Sequence, residues 1–95
     1  MSIEERYLDT HAGSAKLHAK ASQVLPNGVT HDARHLRPFP VYVERAAGSK
    51  KWDVDGHEYV DYVMGHGALL LGHSHPVVAE AAMRQLPLGL SLIHI

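Results

Sequence analysis

The stretch WDVDGHEYVDYVMGHGALLLGHSHP, residues 52–76, decides how the chain is read. Lys51-Trp52-Asp53-Val54 and His57-Glu58-Tyr59-Val60-Asp61 carry the aromatic and β-branched residues of strands. Asp55-Gly56 between them is a two-residue hairpin signal, and the type I′ turn it predicts needs positive φ at both positions. Met64-Gly65-His66-Gly67 is a loop with little side-chain bulk. Ala68-Leu69-Leu70-Leu71 reads as a buried apolar run, and Gly72-His73-Ser74-His75 as a second loop. Pro76 suits the first turn of a helix. Val77, Val78, Ala81, Ala82 and Leu86 form the apolar stripe of that helix, and Pro87 ends it.

Working back from the hairpin, Val41-Tyr42-Val43-Glu44-Arg45 alternates like a strand, and Gly48-Ser49 turns the chain into the next one. A small three-stranded antiparallel sheet results. Val29 to Pro40 has no clean period, and Pro38 and Pro40 keep it an extended loop. It carries Thr30, His31, Asp32, Arg34, His35 and Arg37, which suits either a solvated surface or a binding site. Leu25-Pro26-Asn27-Gly28 is a turn. Before it, Ser14 is expected to cap a helix from Ala15 to about Val24, with Leu17, Ala21, Val24 and Leu25 on one face. Gly13 is expected to interrupt the chain. Ser2 and Glu5 spell a capping box for a short first helix ending near Thr10.

The chain has 95 residues, of which 45% are hydrophobic, and a formal net charge of −1. A chain this short buries only about 60–65% of its unfolded surface, so its core is expected to be thin. No basic field is present to hold nucleic acid. No apolar run approaches the roughly 18 residues of a membrane span. The N-terminus, Met1-Ser2-Ile3-Glu4-Glu5-Arg6, has neither the basic start nor the apolar core of a signal peptide. A soluble cytoplasmic protein is the expectation. Cysteine is absent, which excludes disulfides and thiolate metal sites. Nine histidines are many for this length. His66, His73 and His75 invite a metal reading, but their spacing matches no strong ligand pattern. No metal ligands are assigned. His73 reads instead as a packed residue holding the junction of loop and helix, and His75 as lying near the helix N-cap. Asp55 belongs to the turn. Asp53 and Asp61 read as strand-end hydrogen-bonding or surface groups.

Three pieces in order, LPNGVT, PVYVERAAGSKKWDVDGHEYVDY and GHGALLLGHSHPVVAEA, resemble the N-terminal region of class III (subgroup II) aminotransferases. The glutamate-1-semialdehyde aminomutase branch is the nearest in look. The resemblance covers about residues 14–89. It implies an α+β fold: the N-terminal segment of a fold type I enzyme, with lead helices, a three-stranded antiparallel sheet and a helix into a missing large domain. It implies pyridoxal phosphate as the cofactor of the full-length parent, a small amino-acid or amine substrate, and a homodimer with active sites at the subunit interface. The family's catalytic lysine lies downstream. Lys16, Lys20, Lys50 and Lys51 match none of its catalytic positions, so the chain alone is expected to be inactive. With the large domain missing, the apolar faces of the Pro76 helix and of Leu69–Leu71 are expected to lack their partners.

Two residues are expected to touch substrate. Arg34 falls where the aminomutase branch has an arginine facing the substrate carboxylate, and a planar guanidinium pairs bidentately with a carboxylate. His66 falls where that branch has a pocket tryptophan. This departure favours an aminotransferase over an aminomutase, which stays as the alternative. A stand-alone binding module with a histidine-linked metal is the third reading. Leu90-Ser91-Leu92-Ile93-His94-Ile95 resembles the translation of a transposon-end sequencing adapter. Residues 1–89 are therefore taken as the N-terminal part of the small domain with the start of the linker helix, and residues 90–95 as adapter.

Overall fold

A computed structural model describes residues 1–90. The elements in chain order are α1 (Ile3–Thr10), α2 (Ala12–Ala21), β1 (Val43–Ala47), β2 (Lys50–Asp53), β3 (Glu58–Val60) and α3 (Pro76–Gln85), with one-turn 3-10 helices at Pro26–Gly28, Asp32–Arg34 and Leu86–Leu88. The strands form one antiparallel sheet in the order β1-β2-β3. This is the expected α+β architecture. The described residues divide into two compact units: Met1–Arg45 with Lys51–Tyr59, and Ala46–Lys50 with residues 60–90.

In the first unit, α1 opens on the expected capping box: Glu5 N–H donates to Ser2 Oγ, and Ser2 N–H donates to the Glu5 carboxylate. Tyr7 leaves α1 to donate its hydroxyl to the Phe39 carbonyl at 2.8 Å. Phe39 is the buried large hydrophobe among the described residues, so this core is as thin as the length requires. The second helix corrects the expectation. It begins at Ala12 rather than Ala15, and Gly13 lies inside its first turn. Ser14 is not the cap. Asp55 takes that role from the hairpin, accepting from Gly13 N–H at 2.6 Å and Ser14 N–H at 3.0 Å. A carboxylate neutralises the exposed amides of a helix start better than a hydroxyl does. It also needs room: a Cβ on Gly13 would lie 2.7 Å from Asp55 Oδ1. The freed Ser14 hydroxyl is fully buried and accepts from Tyr42 N–H at 3.0 Å. The helix ends at Ala21, so Val24 and Leu25 fall beyond it, and Val24 is exposed.

The hairpin turn is also corrected. Gly56 has φ 90 while Asp55 does not have positive φ, so the turn is not type I′. Gly56 N–H closes on the Asp53 carbonyl at 3.1 Å, and Gly56 supplies the left-handed step of a three-residue loop, Val54-Asp55-Gly56. The cause is Asp53. Its Oδ1 accepts from Asp55 N–H at 3.0 Å and His57 N–H at 2.8 Å, which fixes the turn before a two-residue loop can form.

In the second unit, Gly48 and His73 exchange both backbone hydrogen bonds, at 2.8 and 2.9 Å. Ser74 Oγ adds a bond to the Ala46 carbonyl. Gly72 passes so close to Gly48 that a Cβ would meet its backbone at 3.0 Å. The helix α3 runs as expected from Pro76 to Gln85, with His75 at its N-cap position and no side-chain cap bond. The apolar run lacks partners among the described residues, as expected of a segment without its large domain. Leu70 is 90% exposed and Leu71 is exposed too. The stripe residues Val77, Val78 and Leu86 are likewise exposed. Their apolar character has no cover among the described residues, as the resemblance to one segment of a larger fold implies.

Candidate functional site

Asp61 follows β3 and sets the glycine-histidine loop of the second unit. It is buried, and its Oδ1 accepts from Val63 N–H at 2.9 Å and Met64 N–H at 3.1 Å. Its other oxygen takes His73 Nε2 at 2.6 Å. An ionised carboxylate only accepts, so that ring carries its proton on Nε2. His73 thus holds loop to helix, as the sequence suggests. From this anchor the chain runs through consecutive left-handed residues: Met64 at φ 49, Gly65 at 63, His66 at 59 and Gly67 at 83. The run closes with Gly67 N–H to the Val63 carbonyl and Leu69 N–H to the Met64 carbonyl, both at 3.1 Å. A left-handed residue other than glycine costs roughly 1–2 kcal/mol. The cost is sustained at Met64 and at His66, and such strain concentrates at ligand-binding positions. The His66 side chain is exposed on this loop.

Arg34 lies in the first unit, on the exposed 3-10 turn Asp32–Arg34. Its Nη1 donates to Thr30 Oγ1 at 2.6 Å. That leaves most of the guanidinium fork for another partner. The chain just before it, from Leu25 through Asn27, Val29 and Thr30 to Asp32, lines an open hollow of about 470 Å³.

A second polar centre lies at the root of the hairpin, built on Asp53, which the sequence reads as a strand-end hydrogen-bonding or surface group and which is the former. Asp53 is 1% exposed. Its Oδ2 accepts from the Tyr59 hydroxyl at 2.7 Å and from His57 Nδ1 at 2.9 Å. His11, in the break between α1 and α2, brings Nε2 to 2.9 Å from the Tyr59 oxygen and 3.6 Å from Asp53 Oδ2. Burial pushes the Asp53 pKa up, but the bonds from the Tyr59 hydroxyl and from the His57 amide and ring outweigh it and hold the pKa at about 2. Tyr59 is shifted upward by burial and by the Asp53 carboxylate it bonds, so it keeps its proton. One ligand atom each from His11, Asp53 and His57 lies within 4.8 Å of the others. Asp53 and His57 could have been paired from their spacing in a hairpin. Nothing in the sequence brings His11 to them.

Comparison with known proteins settles the family. The family model for class-III aminotransferases matches residues 31–94. The glutamate-1-semialdehyde 2,1-aminomutase of Methanopyrus kandleri is 43% identical over 83 residues, covering 87% of this chain and 19% of its own length. The β-phenylalanine aminotransferase of Variovorax paradoxus superposes with a TM-score of 0.83 at 26% identity, over 97% of this chain and 21% of that one. A transaminase with PLP bound superposes at 0.77 with 36% identity, over 88% of this chain and 20% of that one. The chain spans about a fifth of the length of the relatives it matches. It belongs to the class-III aminotransferase family, in the branch that resembles the aminomutases, and corresponds to the N-terminal part of its members.

Proposed function

We propose that this chain is the N-terminal part of a pyridoxal-phosphate-dependent aminotransferase, which moves an amino group from an amino donor to an oxo acid or aldehyde. The left-handed loop around His66 carries the reading: a strained, exposed histidine between glycines, held by Asp61, in a family whose structurally matched relatives include a transaminase with PLP bound. Bound, the cofactor supplies an electrophilic carbonyl and an electron sink. The described residues do not fit it by themselves. Lys16 and Lys20 are exposed on α2, Lys50 and Lys51 lie on β2, and no lysine lines the hollow beside Arg34. The stretch alone is therefore inactive. Its share of the chemistry is contact: Arg34 pairs with a substrate carboxylate and His66 meets the rest of the substrate.

The parent works as a homodimer in the cytoplasm on a small amino acid or amine. Among the described residues no helix is long and apolar enough to cross a membrane. A parent acting as an aminomutase on an amino-aldehyde is the second reading, favoured by the aminomutase relative at 43% identity. Residues 1–89 form the N-terminal part of the small domain with the start of the linker helix. Of the tail assigned to adapter, all but Leu90 lies outside the described residues. Sequencing the source DNA past the Gly89 codon tests both claims: a frame continuing into a lysine-bearing cofactor domain supports them, and a native stop codon after Ile95 refutes them. In the longer protein, Arg34→Lys is expected to raise KM for a carboxylate substrate about tenfold or more, from the loss of a bidentate charged pair. An unchanged KM removes Arg34 from the site. Conversion of an amino-aldehyde without an added amino acceptor separates the mutase from the transferase.

A further inference from the structure

We propose that His11, Asp53 and His57 form a binding site for a zinc-type divalent metal ion at the root of the hairpin, apart from the substrate contacts above. The ring protons fix where the lone pairs point. His11 Nδ1 lies 3.0 Å from the Tyr7 carbonyl, an acceptor, and 2.9 Å from Thr10 Oγ1. The Thr10 hydroxyl already donates to the Arg6 carbonyl, so it too accepts from the ring. Nδ1 therefore carries the His11 proton, and in the neutral ring Nε2 presents a lone pair. That lone pair faces the Tyr59 oxygen at 2.9 Å and Asp53 Oδ2 at 3.6 Å. Tyr59 has one proton and gives it to Asp53. Nε2 is thus aimed at oxygen lone pairs, an arrangement that calls for a cation between them. A metal ion satisfies it by displacing the proton that His57 Nδ1 gives to Asp53 Oδ2; His57 then carries its proton on Nε2, Nδ1 presents a lone pair, and both imidazoles stay neutral. That matters because the His11 and His57 rings are stacked, with centroids 4.5 Å apart, and two imidazolium rings so placed repel.

The spacing also suits a metal. Tetrahedral zinc with nitrogen and oxygen ligands keeps them about 3.3–3.5 Å apart. Here His11 Nε2 and His57 Nδ1 lie 3.6 and 2.9 Å from Asp53 Oδ2, and all three ligand atoms lie within 4.8 Å of one another, so the two rings close on an ion by turning about their side-chain bonds. The support around the ligands is already built. Asp53 Oδ1 is fixed by the amides of Asp55 and His57, and the His11 ring is oriented by the Tyr7 carbonyl. Such partners orient ligands in established metal sites. Asp53 is fully buried, His11 is 12% exposed and His57 is 38% exposed. The ion enters past His57, and the open fourth position takes water. Three protein ligands and one open position are the pattern of an accessible zinc site.

The test is titration of the 95-residue chain with Zn²⁺ alone, against a chelator of known affinity, with Co²⁺ as the spectroscopic probe of coordination. One ion per chain is expected, with ligand-field bands of a four-coordinate site. His11→Gln and His57→Gln should each weaken uptake at least tenfold, while the combined His66→Gln, His73→Gln variant retains it. His57→Cys supplies another zinc ligand at the same position and should restore uptake, which separates lost ligation from lost folding. Absence of stoichiometric uptake overturns the proposal. So does uptake that survives both His11→Gln and His57→Gln.

Discussion

Replacing Asp53 by asparagine keeps the shape of the buried side chain and removes its charge. The structure sets the expected cost. In the native chain the carboxylate is bonded by the amides of Asp55 and His57, the His57 ring and the Tyr59 hydroxyl. These bonds overcome its burial and lower its pKa from the usual 3.8 to about 2. That drop corresponds to about 2 kcal/mol of stability at neutral pH. The sign follows from the direction. A depressed carboxylate contributes in full above its unfolded pKa, and its contribution is lost as pH falls through the folded value. The gap between the native chain and Asp53→Asn should therefore be about 2 kcal/mol at pH 6 and should shrink toward zero between pH 4 and pH 2. Urea unfolding followed by fluorescence of Trp52, the one tryptophan, measures it. Trp52 lies on β2 under the Arg45 guanidinium, 3.6 Å from its ring centre, so its emission reports the sheet next to the carboxylate. Chelator in every sample keeps adventitious metal out of the comparison. A gap that stays constant down to pH 2, or one below about 0.5 kcal/mol at pH 6, refutes the reasoning.

Other perturbations test the same structure elsewhere. Asp55→Ala removes the borrowed cap of α2 and should cost about 1 kcal/mol, read as lower helicity by circular dichroism and an earlier urea midpoint. Gly72→Ala places a Cβ 3.0 Å from the Gly48 backbone at a position with φ 88. It should destabilise by more than about 1 kcal/mol, with the Gly48 and His73 amides losing hydrogen-exchange protection. His66→Gly removes a left-handed strain and should stabilise the chain by roughly 1 kcal/mol, while lowering turnover in the longer protein if His66 meets substrate. A neutral or destabilising His66→Gly would mean that the side chain holds the loop.

Several of these features could be read from the sequence because they are local. The capping box at Ser2, the turn at Asn27-Gly28 and the proline that opens α3 each act within a few residues, and each stands where the residues place it. What sequence reading missed was decided by residues far along the chain. Ser14 looked like a cap until Asp55, on another element, took the free amides. Asp55-Gly56 is a sound two-residue turn signal, but the Asp53 carboxylate imposed a longer loop. Leu69–Leu71 reads as core by its side chains alone, but as one segment of a larger fold it is expected to lack partners, and Leu70 stands almost wholly in the open. Arg34 and His66 could be named from position in a family pattern, and both lie on exposed turns. His11 could not be, since only the break after α1 turns its ring toward the hairpin.

The left-handed run at Met64–Gly67 makes position 66 an interchangeable tip. Its backbone path is set from outside, by Asp61 at one end and by the glycines on either side. A new side chain there changes what the loop presents without redrawing the loop. The freedom has a steric boundary. Asparagine, aspartate and glycine sit easily at positive φ, whereas valine and isoleucine do not. A family that diversifies its substrates through this position would do so within that restricted alphabet, and a saturation library at residue 66 should recover folded chains in the same order.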